Sequence, residues 1–267
     1  TRITKSPDRL LLAELTADFC EETGILRDGF SFQSGAGGTS LAVGEFFAKK
    51  MKEKNIKARF ARGGSNKYLV KMLEDGLVDY ILDGQTFDLE GVRSMRDNPN
   101  HVWTSPFTSY NYHGKGNFAG IVDVVVLGAT EVDVNFNANV ATHSDGYLLH
   151  GIGGWQNCLF SKTVILPIPL FRDRIPVITD EVTTICGPGE LIDVIVTERG
   201  IAVNPKRTDL LEKLKDSKLP IKSIEELKEE AEKICGKPKK PELDDEIIAA
   251  IKWVDGTVID VVRKVKK

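Results

Sequence analysis

Two rhythms of apolar and polar positions run along this chain, and the switches between them predict its elements. Ser6-Pro7-Asp8 supplies a capping hydroxyl, a first-turn proline and an acid suited to the helix dipole. A helix is predicted from there through Leu10, Leu11, Leu15 and Phe19, stopping near Gly24. Phe30-Ser31-Phe32-Gln33 then alternates with the period of a short strand. After the turn Ser34-Gly35-Ala36-Gly37-Gly38, a helix opened by Thr39 or Ser40 runs to about Lys54, with Leu41, Phe46 and Phe47 inward. Lys57 to Ala61 reads as a strand, Arg62-Gly63-Gly64-Ser65-Asn66 as a second glycine turn, Lys67 to about Glu74 as a helix, and Val78 to Leu82 as a strand. That β-α-β-α-β succession implies an α/β fold: a largely parallel central sheet with helices on its faces.

The middle of the chain changes character. Ile121 to Leu127 is nearly continuous apolar sequence, as a central strand covered on both sides requires. Gly128 to about Trp155 is polar and glycine-rich, and a long polar stretch amid core strands is more often a functional rim than a linker. Thr163 to Pro167, Val177 to Thr179 and Ile192 to Val196 are further short strands, so the second half is richer in strands than the first. Ser223-Ile224-Glu225-Glu226 is a capping box opening a helix to about Cys235. Gly236 to Pro241 breaks that helix, and Ile251 to Val265 reads as a hairpin around Asp255-Gly256. The expected organisation is one domain over residues 1–236, with 237–267 a linker and a C-terminal hairpin packing on it.

Composition narrows the classes. A chain of 267 residues can bury a substantial core, and a formal net charge of −3 gives no basic field for nucleic acid. Cys20, Cys158, Cys186 and Cys235 are widely spaced, which suits buried, reduced thiols of a cytoplasmic protein rather than disulfides or a zinc ribbon. No apolar run is long enough for a bilayer, and no secretory signal opens the chain.

The candidate chemistry lies in the glycine turns. Gly35, Gly37 and Gly38 form G-x-G-G before a helix, where free N–H groups favour an anion or a developing oxyanion. The spacing is neither a dinucleotide fingerprint nor a P-loop, so the segment is either a ligand loop or a tight connection. Gly151, Gly153 and Gly154 repeat the pattern beyond a polar segment holding Asn135, Asn137, Asn139, His143 and Asp145. A buried strand feeds that segment, and ligands of open α/β sheets bind at strand carboxyl ends. His143 and His150 read as loop-stabilising or as acid–base groups, and His101 and His113 as structural. Glu131 and Glu181 read as solvated or ion-paired carboxylates, or as hidden nucleophiles. Trp155 either packs under the glycine loop or meets a planar ring. Lys237 to Lys240 is a solvated linker or a basic patch.

Several motifs together carry a resemblance. Gly128-Ala-Thr-Glu-Val-Asp133, the Asn-rich segment, Gly151-Ile-Gly-Gly154 and Glu190-Leu-Ile-Asp-Val-Ile-Val-Thr-Glu-Arg-Gly-Ile-Ala-Val-Asn204 resemble the second half of a coenzyme A transferase. Ser31-Phe-Gln-Ser-Gly-Ala-Gly-Gly-Thr-Ser-Leu-Ala-Val43 and Asp255-Gly-Thr-Val-Ile-Asp-Val-Val262 resemble, more narrowly, the citrate lyase alpha subunit family, end to end but only over its C-terminal half. The resemblance implies a coenzyme A transferase-type fold. It also implies transfer of a coenzyme A-like thiol from an acetyl thioester to citrate, giving a citryl thioester and acetate. The substrate would be coenzyme A or the coenzyme A-like arm of an acyl carrier (gamma) subunit, with no metal required. The partners would be the N-terminal half of the subunit, the beta and gamma subunits, and further copies of itself. The better-known branch uses a glutamate in Ser-Glu-Asn-Gly, but the matching place here is Arg62-Gly63-Gly64-Ser65-Asn66, with no carboxylate. That departure implies direct attack by citrate and a mixed anhydride.

On this reading the amides of Gly37, Gly38, Gly153 and Gly154 line the acyl centre and Arg62 holds a citrate carboxylate. Ser34, Gly35, Gly63, Gly64, Ser65, Asn66, Asn137, Asn139, His143, Asp145 and Gly151 complete the substrate site. The rival readings are a citramalate lyase alpha subunit, an acetate coenzyme A transferase, and a non-catalytic sugar-phosphate-binding domain.

Overall fold

The computed structural model describes residues 2–35, 37–109 and 117–266. His113 and Ala36 lie outside them. The first elements in chain order are α1 (Pro7–Glu22), β1 (Phe30–Ser34), α2 (Gly38–Lys54), β2 (Ala58–Ser65), α3 (Lys67–Glu74), β3 (Ile81–Thr86), α4 (Leu89–Asp97), β4 (His101–Trp103) and α5 (Pro106–Ser109). The middle contributes β5 (Val124–Val126), β6 (Glu131–Asp133), β7 (Ala138–Asn139), α6 (Trp155–Cys158), β8 (Val164–Pro167), β9 (Phe171–Arg172), β10 (Ile175–Pro176) and β11 (Ile178–Thr179). The last are β12 (Val194–Thr197), β13 (Gly200–Val203), α7 (Thr208–Lys213), α8 (Ile224–Cys235), β14 (Leu243–Lys252) and β15 (Val258–Val265).

Eight strands form one sheet in the order β13-β12-β8-β5-β1-β2-β3-β4, parallel throughout except for the antiparallel β12–β13 pair. From β1 the chain steps one way through β2 and β3. From β5 it steps the other way through β8 and β12. The order therefore reverses between β1 and β5, and their carboxyl ends open the crevice where such sheets bind ligands.

Both faces of the sheet are covered, so its central strands are apolar on both sides. Val124 and Val126 of β5 join one core with Leu12, Phe19, Phe30, Phe32, Phe47 and Met51, while Val125 joins another with Leu166, Ile195, Leu227, Ile251 and Val262. Alternate residues of one strand thus feed the two layers. In the first layer the rings of Phe30 and Phe32 stack at 5.6 Å, and Phe47 of α2 meets Phe32 edge-on at 5.7 Å. The second layer holds α8, the three-stranded sheet β11-β6-β7 and the β14–β15 hairpin.

The structure departs from the sequence pattern in several places. Ser6 caps α1 without a side-chain bond to its amides, its hydroxyl going to Asp8 instead. The second glycine segment is not a turn: β2 runs on to Ser65, its residues Gly63 to Ser65 paired with β3. Asn66 then caps α3, accepting from Tyr68 N at 2.9 Å and Leu69 N at 3.2 Å. The third strand begins at Ile81, with Val78 making only a bridge to Ala58. The central strand is shortened to Val124–Val126 by a 3-10 turn over Ala119–Ile121. The last hairpin starts at Leu243 rather than Ile251. The capping box at Ser223 is present as expected.

Candidate active site

The two glycine segments meet at the β1–β5 switch point. Gly35 N donates to Val126 O at 3.0 Å, which docks the first turn on the end of β5. Two residues on, Gly128 O accepts from Trp155 Nε1 at 3.0 Å, which brings the second glycine segment to the same strand end. Gln33 of β1 closes the gap: its Nε2 donates to Cys158 Sγ at 3.1 Å, and that thiol donates to Gly154 O at 3.3 Å. Gln33 Oε1 is buried and has no hydrogen-bond partner among the described residues.

The glycines have different reasons to be glycine. Gly37 and Gly151 face open space, and Gly153 adopts φ +60°, a left-handed conformation that disfavours a Cβ. Gly38 is different, because a Cβ there would stand 3.1 Å from Arg2 O and Thr4 N, so the segment before α1 lies on it. At Gly63 a Cβ would come within 2.9 Å of the Gln33 side chain, and at Gly64 within 1.8 Å of the Phe87 ring. Gly189 lies under main chain, its missing Cβ 1.9 Å from Asn135 O.

Several expected ligand groups are committed elsewhere. Arg62 is only 2 % exposed and stands in β2 beside Gln33 in register, so it lies beneath the crevice rather than at its mouth. Its charge acts on Cys158, whose thiol is nevertheless pushed up by burial. Ser65 donates through Oγ to Asp83 Oδ2 at 2.5 Å, and Asn66 is spent as the helix cap. Asn137 donates to Asp133 Oδ2 at 3.1 Å and accepts from Gly189 N at 2.9 Å. Asn139 is fully buried, donating to Glu131 and Thr142 and accepting from the amides of Ala141 and Thr142. Both asparagines therefore spend these hydrogen bonds on shaping the loop. Asp145 accepts from Tyr147 N at 3.0 Å in an exposed turn that starts at His143, and Gly146 within it leans on Leu243 and Val265 of the terminal hairpin. Ser34 and Gly35 remain half-buried at the crevice.

Of the two carboxylates, Glu181 is ion-paired as expected, whereas Glu131 is neither solvated nor ion-paired. Glu131 is 3 % exposed, and its oxygens accept from Asn139 Nδ2, Thr183 N and Thr183 Oγ1. Glu181 pairs with Lys240 at 2.7 Å on the surface. Trp155 fills the space over Gly187, its indole nitrogen on Gly128 O. His101 is buried between Ser94 Oγ at 2.9 Å and Asp83 Oδ2 at 3.2 Å. Burial acts to raise the Asp83 pKa, but hydrogen bonds from His101, Ser65, Gln85 and Thr86 outweigh it and hold the carboxyl below its usual range. Pattern alone gives no site role to Gln33 or Asp83 and reads Cys158 only as a buried thiol. A polar residue inside an apolar strand was the available signal for the first two. Among the described residues no group of three or more His, Cys, Asp and Glu is arranged to hold a metal ion. No described helix is long and apolar enough to cross a membrane.

An open, largely parallel sheet with glycine-rich main chain at its switch point places the chain among the coenzyme A transferase-like α/β folds. The solved structure of RipA from Yersinia pestis shares that fold, with a TM-score of 0.60 over 87% of this chain and 54% of its own, at 15% identity. The family assignment is more specific. Residues 1–265 match the family model "Citrate lyase, alpha subunit (CitF)", and the chain belongs to that family. It is 43% identical over 267 residues to the citrate lyase alpha chain of Haemophilus influenzae, covering 100% of this chain and 53% of that one. The Escherichia coli (strain K12) citrate lyase alpha chain is 42% identical, with 100% and 52% covered. A structure of the alpha subunit of citrate lyase from Streptococcus mutans, in complex with citrate, superposes with a TM-score of 0.97 at 44% identity, covering 100% of this chain and 53% of that one. The chain spans about half the length of the curated relatives it matches.

Proposed function

We propose that this chain is one half of an alpha subunit that moves a coenzyme A-type thiol from an acetyl thioester to citrate. A citrate carboxylate oxygen attacks the thioester carbonyl carbon, and the C–S bond breaks with its electron pair leaving on sulfur. The resulting mixed anhydride is then attacked by that thiolate at the citryl carbonyl, and acetate departs. No net proton is consumed, so the protein's task is positioning and oxyanion stabilisation rather than acid–base work.

The observation that carries this reading is the meeting of the two glycine segments at the β1–β5 switch point, in a member of the citrate lyase alpha family. A path without a covalent enzyme intermediate is supported by β2, which ends in Arg62-Gly63-Gly64-Ser65 without a carboxylate. The buried carboxylates Asp83 and Glu131 have their oxygens already engaged. Gly37, Gly38, Gly153 and Gly154 are the proposed main-chain donors, and buried Arg62 biases the crevice floor toward anions. The proposed setting is a cytoplasmic, homo-oligomeric assembly with the N-terminal half, the beta subunit and the gamma carrier subunit, whose coenzyme A-like arm brings the thioester.

The test is an exchange assay with labelled acetate, acetyl-CoA and citrate, with the complementary half supplied. Citryl thioester formation supports the proposal. Exchange with citramalate but not citrate reassigns the acceptor, and phosphosugar binding without exchange defeats the enzymatic reading. Recovery of a borohydride- or hydroxylamine-trapped glutamyl thioester would defeat the path without an enzyme intermediate.

A further inference from the structure

The main chain leaving β5 is held by side chains in a way that the glycine pattern does not suggest. Three consecutive carbonyls are gripped. Trp155 Nε1 donates to Gly128 O at 3.0 Å, and Arg172 donates through Nη2 to Ala129 O at 2.6 Å and through Nη1 to Thr130 O at 3.1 Å. A guanidinium fork suits two adjacent acceptors in a way a lysine does not. Burial, reinforced by Arg9, lowers the Arg172 pKa from its ordinary value. A partly buried cation whose hydrogen bonds go to main chain is costly to keep, and its geometric effect is specific.

A trans peptide points its C=O and N–H in opposite directions. With the Ala129 carbonyl on Arg172, the Thr130 N–H points away and donates to Asn139 O at 2.8 Å. With the Gly128 carbonyl on the indole, the Ala129 N–H is likewise aimed away from Trp155. Neither that N–H nor the Gly128 N–H donates to another group among the described residues. Gly128 is exposed, with open space where a Cβ would stand.

We propose that Arg172 and Trp155 are positioning residues that, by holding the carbonyls of Gly128 and Ala129, fix the Ala129 N–H as a further donor to the oxygen of the reacting thioester. This rests on the acyl-transfer reading above. Arg172 and Trp155 act only through the main chain they hold. The Ala129 N–H is the group of this segment that touches substrate.

The experiment uses the assembled enzyme with acetyl-CoA and citrate, comparing wild type with Arg172→Lys, Arg172→Met and Trp155→Phe. Arg172→Met is expected to lower kcat on the order of 10²-fold, with both KM values little changed, because a misplaced donor costs turnover rather than ground-state binding. Arg172→Lys is expected to recover part of the loss, and Trp155→Phe to show a smaller fall of the same kind. Amide exchange over residues 128–131, measured on this chain alone, is expected to quicken in the same order. Quickened exchange with undiminished kcat overturns the proposal, as does a rise of KM in step with the fall in kcat. If Arg172→Met does not fold, Trp155→Phe decides by the same criteria. A wild-type assembly that forms no citryl thioester defeats the acyl-transfer reading and the oxyanion role with it, while exchange still reports whether the clamp exists.

Discussion

Replacing Asp83 by asparagine isolates the buried polar knot between the ends of β2 and β3. The carboxylate is fully buried and accepts from Ser65 N at 3.2 Å and Gln85 N at 2.9 Å through Oδ1. Oδ2 accepts from Ser65 Oγ at 2.5 Å and Thr86 Oγ1 at 3.0 Å and lies 3.2 Å from His101 Nε2. Asp83→Asn keeps the volume, so no cavity term enters. The amide retains one acceptor for the two N–H groups but presents a donor to the hydroxyls and the imidazole. Hydrogen bonds to a charged group contribute about 1.5–3 kcal/mol each, and rotating the hydroxyls to accept recovers part, leaving an expected loss of about 2–4 kcal/mol. For a chain of this size each 1 kcal/mol lowers Tm by about 2–4 °C. Urea denaturation followed by circular dichroism measures the change, with the slope checked for constancy. A change below about 0.5 kcal/mol, the scale of an indifferent surface substitution, refutes the claim that this carboxylate ties the ends of β2 and β3 together.

The remaining expectations are briefer. Asp123 is buried, which alone raises its pKa, but Lys162, Ser31 and Arg27 hold it below the ordinary value. A depressed folded pKa means that stability is present above the unfolded value and lost as pH falls through the folded one, so the urea midpoint should drop below about pH 4. Asp123→Asn should flatten that drop, and an unchanged acid limb contradicts it. Gly64→Ala should destabilise by about 1–3 kcal/mol through overpacking, and Phe87→Leu in the same chain should restore much of it; an additive double variant speaks against the contact. Cys158 is buried with its pKa raised, whereas Cys235 is partly exposed. Iodoacetamide at pH 8 should therefore label Cys235 and spare Cys158 in the folded protein by mass spectrometry, and equal labelling goes against the packing described.

What the sequence disclosed and what it hid divide along the range of the interactions. The helices α1, α2 and α3 and the strand β1 follow from local periodicity, and the capping box at Ser223 from a local exchange of bonds. The path of β2 does not, because Gly63 and Gly64 are needed for the close approach of Gln33 and Phe87 rather than for reversing the chain. Asn139 reads as a ligand group until its partner Glu131 is seen beside it. Strand β4 has three residues, too few for a periodic signal. Asp83 acquires its role only from Ser65 and His101, which reach it across separate elements. The crevice itself was legible in part: both glycine segments stand at strand carboxyl ends, but the Gln33–Cys158 link that joins them pairs residues distant in sequence.

The close packing over Gly64 and Gly189 also governs how this chain can drift. Position 64 is crowded by a side chain, so a smaller residue at 87 opens the way to a Cβ, and the two positions are free to change as a pair. Position 189 is crowded by the peptide of Asn135, which no substitution can shrink. Homologues should therefore show correlated exchange at the first glycine and none at the second, so the one records ancestry while the other is fixed by the backbone geometry alone.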